Sequence, residues 1–436
     1  MAEQAGGFGS RTITVGNDFD VVLKDYYEGP VREHLNNSIP ILKYVEKSKR
    51  KWNGRAVVFP VHTGRNFGVG ARGETDQIPT AGKQSYIESR ILTKFLYGRI
   101  RITGPVIAAS QGNKGSFASA LRTEVEGMRS DLRVDMNRQI WGNLVADADA
   151  AGSPGGENGI LAVISEAQDA GALTTIKVDN PGTRYIKKGM TVTIGLLGGG
   201  DGNTLAATNT GVTVSSVDST TQFTISTNSA AYVNNEVVVL GDANASSFQN
   251  EVTGLSFLAT DSTEFSLQAI DPSSNPEWTA NVLSNDGNGN RPLSLELMQL
   301  CIDTADEVAG EEPNLIMGHH SMRREYINLL TSDVRYAPEQ LKGGFQKMTY
   351  AGGMKPMPIE FARMAPYNKL FFLQTKDIRL YTMKDWQWAD RDGSTFSRIA
   401  DRDSWEAFMC WYGNLGLERR FAQTVLTEIT VDNLIF

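Results

Sequence analysis

Two adjacent histidines, His319 and His320, are the first residues here that could do chemistry, because paired imidazoles can hold a metal or pass a proton. A zinc site needs further ligands at set spacing. No HExxH, no cysteine and no carboxylate at ligand spacing accompanies the pair, so it is expected to be a surface turn at a strand-to-helix junction. His34 and His62 stand alone. Cys301 and Cys410 lie far apart in apolar sequence (LMQLCID, AFMCWYG), which predicts two buried, reduced thiols rather than a disulfide framework or a nucleophile. Gly68-Val69-Gly70-Ala71-Arg72-Gly73 matches GxGxxG, a pattern that brings backbone amides to a pyrophosphate only where a helix opens at its third glycine. The residues that follow, GETDQIPTAGKQ, contain Pro79 and Gly82 and leave no room for that helix. Gly82-Lys83 lacks the upstream glycine and the Ser/Thr of a phosphate loop, and no GxSxG occurs. Trp386, Trp388, Trp405 and Trp411 could stack on bases but are expected in packing. No catalytic residue, cofactor or metal ligand is assigned.

The elements around these residues are more informative. Residues 1–16 are small, polar and Gly-rich and read as an arm, followed by a helical pattern from Asp18 to Asn36 and a basic cluster, KYVEKSKRKW. Arg55–His62 (RAVVFPVH) is β-branched and aromatic and predicts a strand that Pro60 confines to an edge. A period of two from Ile87 through Ile102 predicts a second long stretch of strand. Between them, GRNFGVGARGETDQIPTAGKQ is glycine-rich and charged, with almost no apolar anchors, and a connection that long usually binds something. A two-stranded arm cannot bury its own apolar face, so its cover is expected on something else. Arg65, Arg72, Glu74, Asp76 and Lys83, near the tip, are the candidate inter-subunit contacts.

A single apolar stripe (Phe117, Leu121, Val125, Met128, Leu132, Met136, Ile140, Leu144) predicts a helix over 116–146 that rests on one layer. Residues 151–290 carry four basic against fourteen acidic side chains, and their short strands (TTIKV, MTVTIG, GVTVSSV, QFTIS, NEVVVL) alternate with turn signals. They predict a small all-β domain inserted at about 173–247, with LSFLA and EFSLQAI as strands returning to the host. Further on, SLELMQLCIDTADEVAG reads as a helix, PNLIMG as a buried strand and 321–330 as a helix. KLFFL, DIRLYT, WEAFMCWY and QTVLTEITV read as strands. Net charge is −8, with 42 basic and 50 acidic residues, which argues against a protein built to grip phosphates. No signal design and no membrane-length apolar run occurs, so synthesis and residence in the cytoplasm before assembly are expected.

The order of these parts resembles tailed-phage major capsid proteins of the HK97-like fold, an α+β class. The wording carries it too: RNFGVGARGE, IPTAGKQ, YGRIRITGPVIAAS leading into the helix, DMNRQIWG near its end, and GTRYIKKGMTVTIG in the insert. The resemblance implies an N-terminal arm (1–52), an extended β-hairpin loop (53–104) and a peripheral domain (105–172) with the spine helix. It further implies the inserted β domain (173–250), an axial domain (251–365) and C-terminal strands shared by both (366–436). It implies pentamers and hexamers closing into an icosahedral head around double-stranded DNA, held without sequence-specific binding and without a membrane. Portal, scaffolding protein, and maturation protease or decoration protein are the implied partners. Some relatives crosslink their subunits through Lys and Asn, and no motif here assigns such a pair. The alternatives are an encapsulin-type shell, which the nucleic acid content of purified particles would separate, and a β-rich adhesin or binding module, which particle size would separate.

Overall fold

The computed structural model describes residues 39–52, 54–105, 114–142, 159–167, 174–179, 182–198, 204–226, 231–241, 248–263, 266–285, 288–333, 348–390, 395–399 and 401–431. Among them the first strands are β1 (Glu46–Lys47), β2 (Ala56–Gly64), β3 (Ser85–Leu92) and β4 (Lys94–Thr103), followed by helix α1 (Lys114–Trp141). Next come β5 (Ile160–Val163), β6 (Thr175–Lys177), β7 (Thr191–Gly198), β8 (Thr204–Ser219), β9 (Gln222–Ile225) and β10 (Val237–Leu240). The chain continues through α2 (Leu255–Leu258), β11 (Asn281–Leu283), α3 (Leu295–Ala309), β12 (Leu315–Gly318) and α4 (His320–Asp333). It ends in β13 (Met348–Tyr350), β14 (Met357–Phe361), β15 (Leu370–Leu373), β16 (Ile378–Trp388), β17 (Ser397–Arg398), β18 (Ser404–Leu417) and β19 (Thr424–Leu426). The helix expected over 18–36 lies outside the described residues.

The chain packs as two compact units, one of residues 1–43, 95–137 and 382–413, the other of 44–94, 138–381 and 414–436. In the first, β4 pairs with β18, which also pairs with β16 and β17. Helix α1 sets Val125, Leu132 and Met136 inward and leaves Glu124, Glu126 and Asp131 exposed, as a single stripe requires. Gly98 lets the helix approach the sheet, because a Cβ there would meet Leu132 Cδ1 at 2.6 Å. The side chains of Phe117 and Leu121 are not described, and Leu144 lies outside the described residues.

In the second unit a six-stranded sheet runs β11-β19-β15-β12-β14-β13. Met298, Cys301 and Ile302 of α3 and Met322 and Tyr326 of α4 pack with Ile316, Ile359, Leu370 and Phe372 of that sheet in one core. Helix α3 starts on Ser294, whose side chain accepts from the Leu297 amide, and stops on Gly310 in the left-handed conformation.

A second six-stranded sheet, β5-β10-β7-β8-β9-β6, holds the Val- and Thr-rich segments. Its outer strands meet: Ile164 pairs with Val178, the Ser165 amide donates to Lys177 O at 3.1 Å, and the Asp179 amide donates to Val163 O at 2.9 Å. The sheet thus closes into a small barrel in which buried side chains oppose one another, Ala162 and Ile194 on either side of Val238, Val192 across from Val212, and Ile176 across from Phe223. Ile160, Val163, Val237 and Val239 form a separate buried cluster with Leu205 and Phe248. Strand β5, which precedes 173, pairs with β10 in this sheet. After the barrel the chain is tied to the end of α1. Arg138 donates to both Glu251 carboxylate oxygens, at 2.8 and 2.5 Å, in a buried pair. Gly142, at φ +66, ends α1 where a Cβ on Gly254 would meet its amide at 2.5 Å, so two glycines touch at this neck.

Among the described residues the two expected return strands do not form. LSFLA forms α2, a single helical turn with all four side chains buried, and the Leu267–Ile270 stretch forms a tight turn with Gln268 (φ 56) and Ala269 (φ 63) left-handed. A four-residue apolar run carries no period, so burial alone decides its shape.

Candidate intersubunit surface

The arm is a two-stranded ribbon of β2 and β3, paired from Ala56↔Leu92 to Gly64↔Ser85, with an irregularity between His62 and Gly64. Alternation puts Val57, Phe59 and Val61 on one face, and Pro60 lies on a strand with one neighbour, as its missing donor demands. On the implied shell arrangement that face was expected to lie on another copy. Instead it is covered within the subunit: Val57, Phe59, Val61 and Ile91 pack with Ile270, Trp278 and Tyr381. Phe59 stacks on Tyr381 at 6.3 Å between centroids, and the Arg50 guanidinium lies 4.7 Å over Phe59. The Trp278 indole donates to Leu267 O at 3.1 Å, and the Arg90 amide donates to Gln268 O at 2.8 Å, so the turn at 267–270 holds both the tryptophan and β3. Arg50 also pairs with Glu418 at 2.9 Å, and Glu46 with Arg379 at 3.0 Å, which gives the basic cluster an acidic contact in its own subunit.

Beyond Gly64 the cover ends. Phe67 is 88% exposed, Val69 67% and Ile78 81%. These three are the apolar anchors that sequence patterning missed, and the available signal was large side chains inside a polar loop. The loop is nonetheless shaped. Asn66 Oδ1 accepts from the Gly68 amide at 2.8 Å, and a Cβ on Gly82 would meet the Gly68 and Phe67 amides at 2.9 Å. The two sides of the loop therefore approach at a pair of glycines. A second turn closes where the Asp76 amide donates to Gly73 O at 3.1 Å and Asp76 Oδ2 accepts from the Gly73 amide at 2.9 Å. No helix follows the GxGxxG glycines.

All five sequence-designated contacts, Arg65, Arg72, Glu74, Asp76 and Lys83, are exposed on this loop. Arg72 donates to Ala71 O at 3.0 Å, and Asp76 closes its own turn, so the designated charges share a segment without forming a cluster. The arrangement has the chemistry of a docking surface, three apolar side chains ringed by charge on a glycine frame.

The other chemically suggestive residues are absorbed by structure. His319 is buried and not on a surface turn as expected: its Nδ1 hydrogen-bonds with Ser321 Oγ at 2.9 Å and accepts from the Ser321 amide at 3.1 Å. Tyr367 meets its ring edge-on at 4.5 Å. Burial, then the Arg184 charge, pushes its imidazole down to about 3, so it is a neutral core group. Cys301 and Cys410 are buried free thiols, and burial pushes Cys301 up to about 12. Among the described residues no group of His, Cys, Asp or Glu could hold a metal ion, and no helix is long and apolar enough to cross a membrane.

No family model matches the chain, and no curated protein matches it. Solved structures do. The capsid asymmetric unit of cyanophage A-1(L) aligns at TM-score 0.52 and 10% identity, over 90% of this chain and 93% of that one. The capsid of a native GTA particle (TM-score 0.45, 6% identity, 89% and 90% covered) aligns over similar lengths. So does Mycobacterium phage Bobi (0.39, 8%, 89% and 89%); neither score adds weight. The chain shares its mixed α/β fold with the cyanophage capsid chain.

Proposed function

We propose that this chain is the major capsid protein of a tailed phage, a structural subunit of HK97-like architecture without catalytic chemistry. The fold shared with the cyanophage capsid chain supports this, and the single observation that carries it is the arm. Its base is fastened to its own subunit, while its tip presents Phe67, Val69 and Ile78 to water. Covering such side chains contributes about 1.5–3 kcal/mol each, and a second copy of the chain is the partner every subunit has at hand. Pentamers and hexamers then close an icosahedral head around double-stranded DNA. Portal, scaffolding protein, and maturation protease or decoration protein act as partners, and the virion is the site of action. In this reading 53–104 is the extended loop, the part of 105–172 that precedes β5 the peripheral domain with α1, 251–365 the axial domain and 366–436 the strands common to both. The barrel is the insert, beginning at β5.

Removing Arg65 to Gly82 tests this, because Lys83 and Gln84 then remain as a two-residue turn between the paired Gly64 and Ser85. The shortened chain is expected to stay folded and to form no closed particles in electron micrographs. Particles of normal size would refute the role of the tip. Particles enclosing a protein cargo and no DNA would favour an encapsulin-type shell, and small oligomers of the intact chain a binding module.

A further inference from the structure

Helix α3 has one face in the core and another with no partner among the described residues. Met298, Cys301, Ile302 and Ala305 are buried, whereas Leu300 is 49% and Val308 51% exposed, about two turns apart. All four charged residues of the helix, Glu296, Asp303, Asp306 and Glu307, are acidic and exposed. None makes an ion pair among the described residues; Asp303 only accepts from Gln299 Nε2, at 2.7 Å. Asp306 and Glu307 lie at the helix's C-terminal end, which has no basic residue, so they oppose the helix dipole instead of complementing it.

Helix α4 is the converse. It opens with His320, Arg323 and Arg324 and has no acidic residue in its first turn, again against the dipole. Arg363 joins them, because the Ala362 amide donates to Gly318 O at 2.9 Å beside the start of α4. Arg323 and Arg363 are exposed. Burial lowers the His320 imidazole, and Arg323, Arg184, Arg324 and Arg363 lower it further, which marks a neighbourhood of cations. Strand β12 lies between the two helices in the chain, so the acidic and the basic groups sit on separate elements of the subunit.

We propose that the outward face of α3 docks on the start of α4 of a second copy, head to tail, so that copies close into a ring. Leu300 and Val308 supply the apolar contact. The acidic residues of one subunit meet Arg323 and Arg363 of the next. A two-fold contact through the α3 face alone would set carboxylates against carboxylates, whereas a head-to-tail contact satisfies both faces of every subunit and leaves none over when the ring closes. This rests on the shell-subunit reading and names the contact within each ring.

The test compares four full-length chains by sedimentation velocity and negative-stain microscopy: the unaltered chain, Asp303→Lys with Glu307→Lys, Arg323→Glu with Arg363→Glu, and a chain with all four changes. Each paired reversal is expected to weaken association at least about tenfold, and the fourfold chain, whose charges again oppose, to recover it. These side chains are exposed, and the reversals at the helix ends complement the dipoles that the native residues oppose, so urea unfolding should be unchanged or shifted slightly to higher urea. Should a reversal fail to fold, Glu307→Gln with Arg323→Gln must flatten the salt dependence of association. Paired reversals that assemble like the unaltered chain, or a fourfold chain no better than either pair, overturn the contact and leave the shell reading standing. An unaltered chain that stays monomeric at every concentration removes both.

Discussion

At the base of the arm three side chains of β2 meet Ile270, Trp278 and Tyr381, while at the far end of the same two strands Phe67, Val69 and Ile78 stand in water. Both ends are apolar and both are backbone-ordered, yet only one has its cover inside the subunit. The difference shows how a ribbon too thin to own a core can still be held along its length. Its inner half borrows a core from residues 267–278 and 381, and its outer half is held by Asn66, by the Gly68–Gly82 approach and by the turn that Asp76 closes. Such a device presents a preformed surface, so less ordering entropy opposes docking than for a free loop.

The contrast can be broken most forcefully at the base. Trp278→Ala should cost about 3–5 kcal/mol in urea unfolding, because it empties the site beneath β2 and removes one of the two hydrogen bonds that Leu267 O accepts; an unchanged midpoint would mean the base is not what holds the arm. Phe67→Ser combined with Ile78→Ser should do the reverse. Stability of the isolated chain stays within about 0.5 kcal/mol. The critical concentration for assembly, followed by light scattering, rises by an amount equivalent to roughly 1.5–3 kcal/mol for each side chain. Should those serines lower the unfolding midpoint by as much as Trp278→Ala does, the tip is part of the core after all. The smallest effect belongs to the tip charges: Arg72→Ala and Glu74→Ala should each shift assembly by about 0–1 kcal/mol and fade above 0.5 M salt. A larger, salt-insensitive loss would place a buried ion pair at the docked tip.

Much of this was legible from residue order. The alternation around Pro60, the stripe from Val125 to Met136, the Ser294 cap with Gly310 at the far end, and the runs LIMG and LFFL each encode their element locally. The cover over Phe59 was not, because Trp278 and Tyr381 are remote in the chain and nothing in RAVVFPVH names them. Nor was the depth of His319, whose ring lies edge-on to Tyr367 and feels the charge of Arg184, both remote in the chain. ILAV, read alone, is an apolar run of either kind; only its ladder with β10 makes it a stave. The tip was half legible. Its charges and glycines stood out, while Phe67, Val69 and Ile78 were discounted for being few, although isolation in a polar loop is what exposes them.

The junction of Ile164 with Val178 has a bearing on how many copies can be crowded together safely. An open sheet offers a row of vacant amides and carbonyls, and any neighbour with the same row can zip onto it without limit. By joining its first stave to its last, the Val- and Thr-rich module leaves no such seam for fibre growth. The barrel can then be displayed at very high local density without pairing edge to edge with its copies.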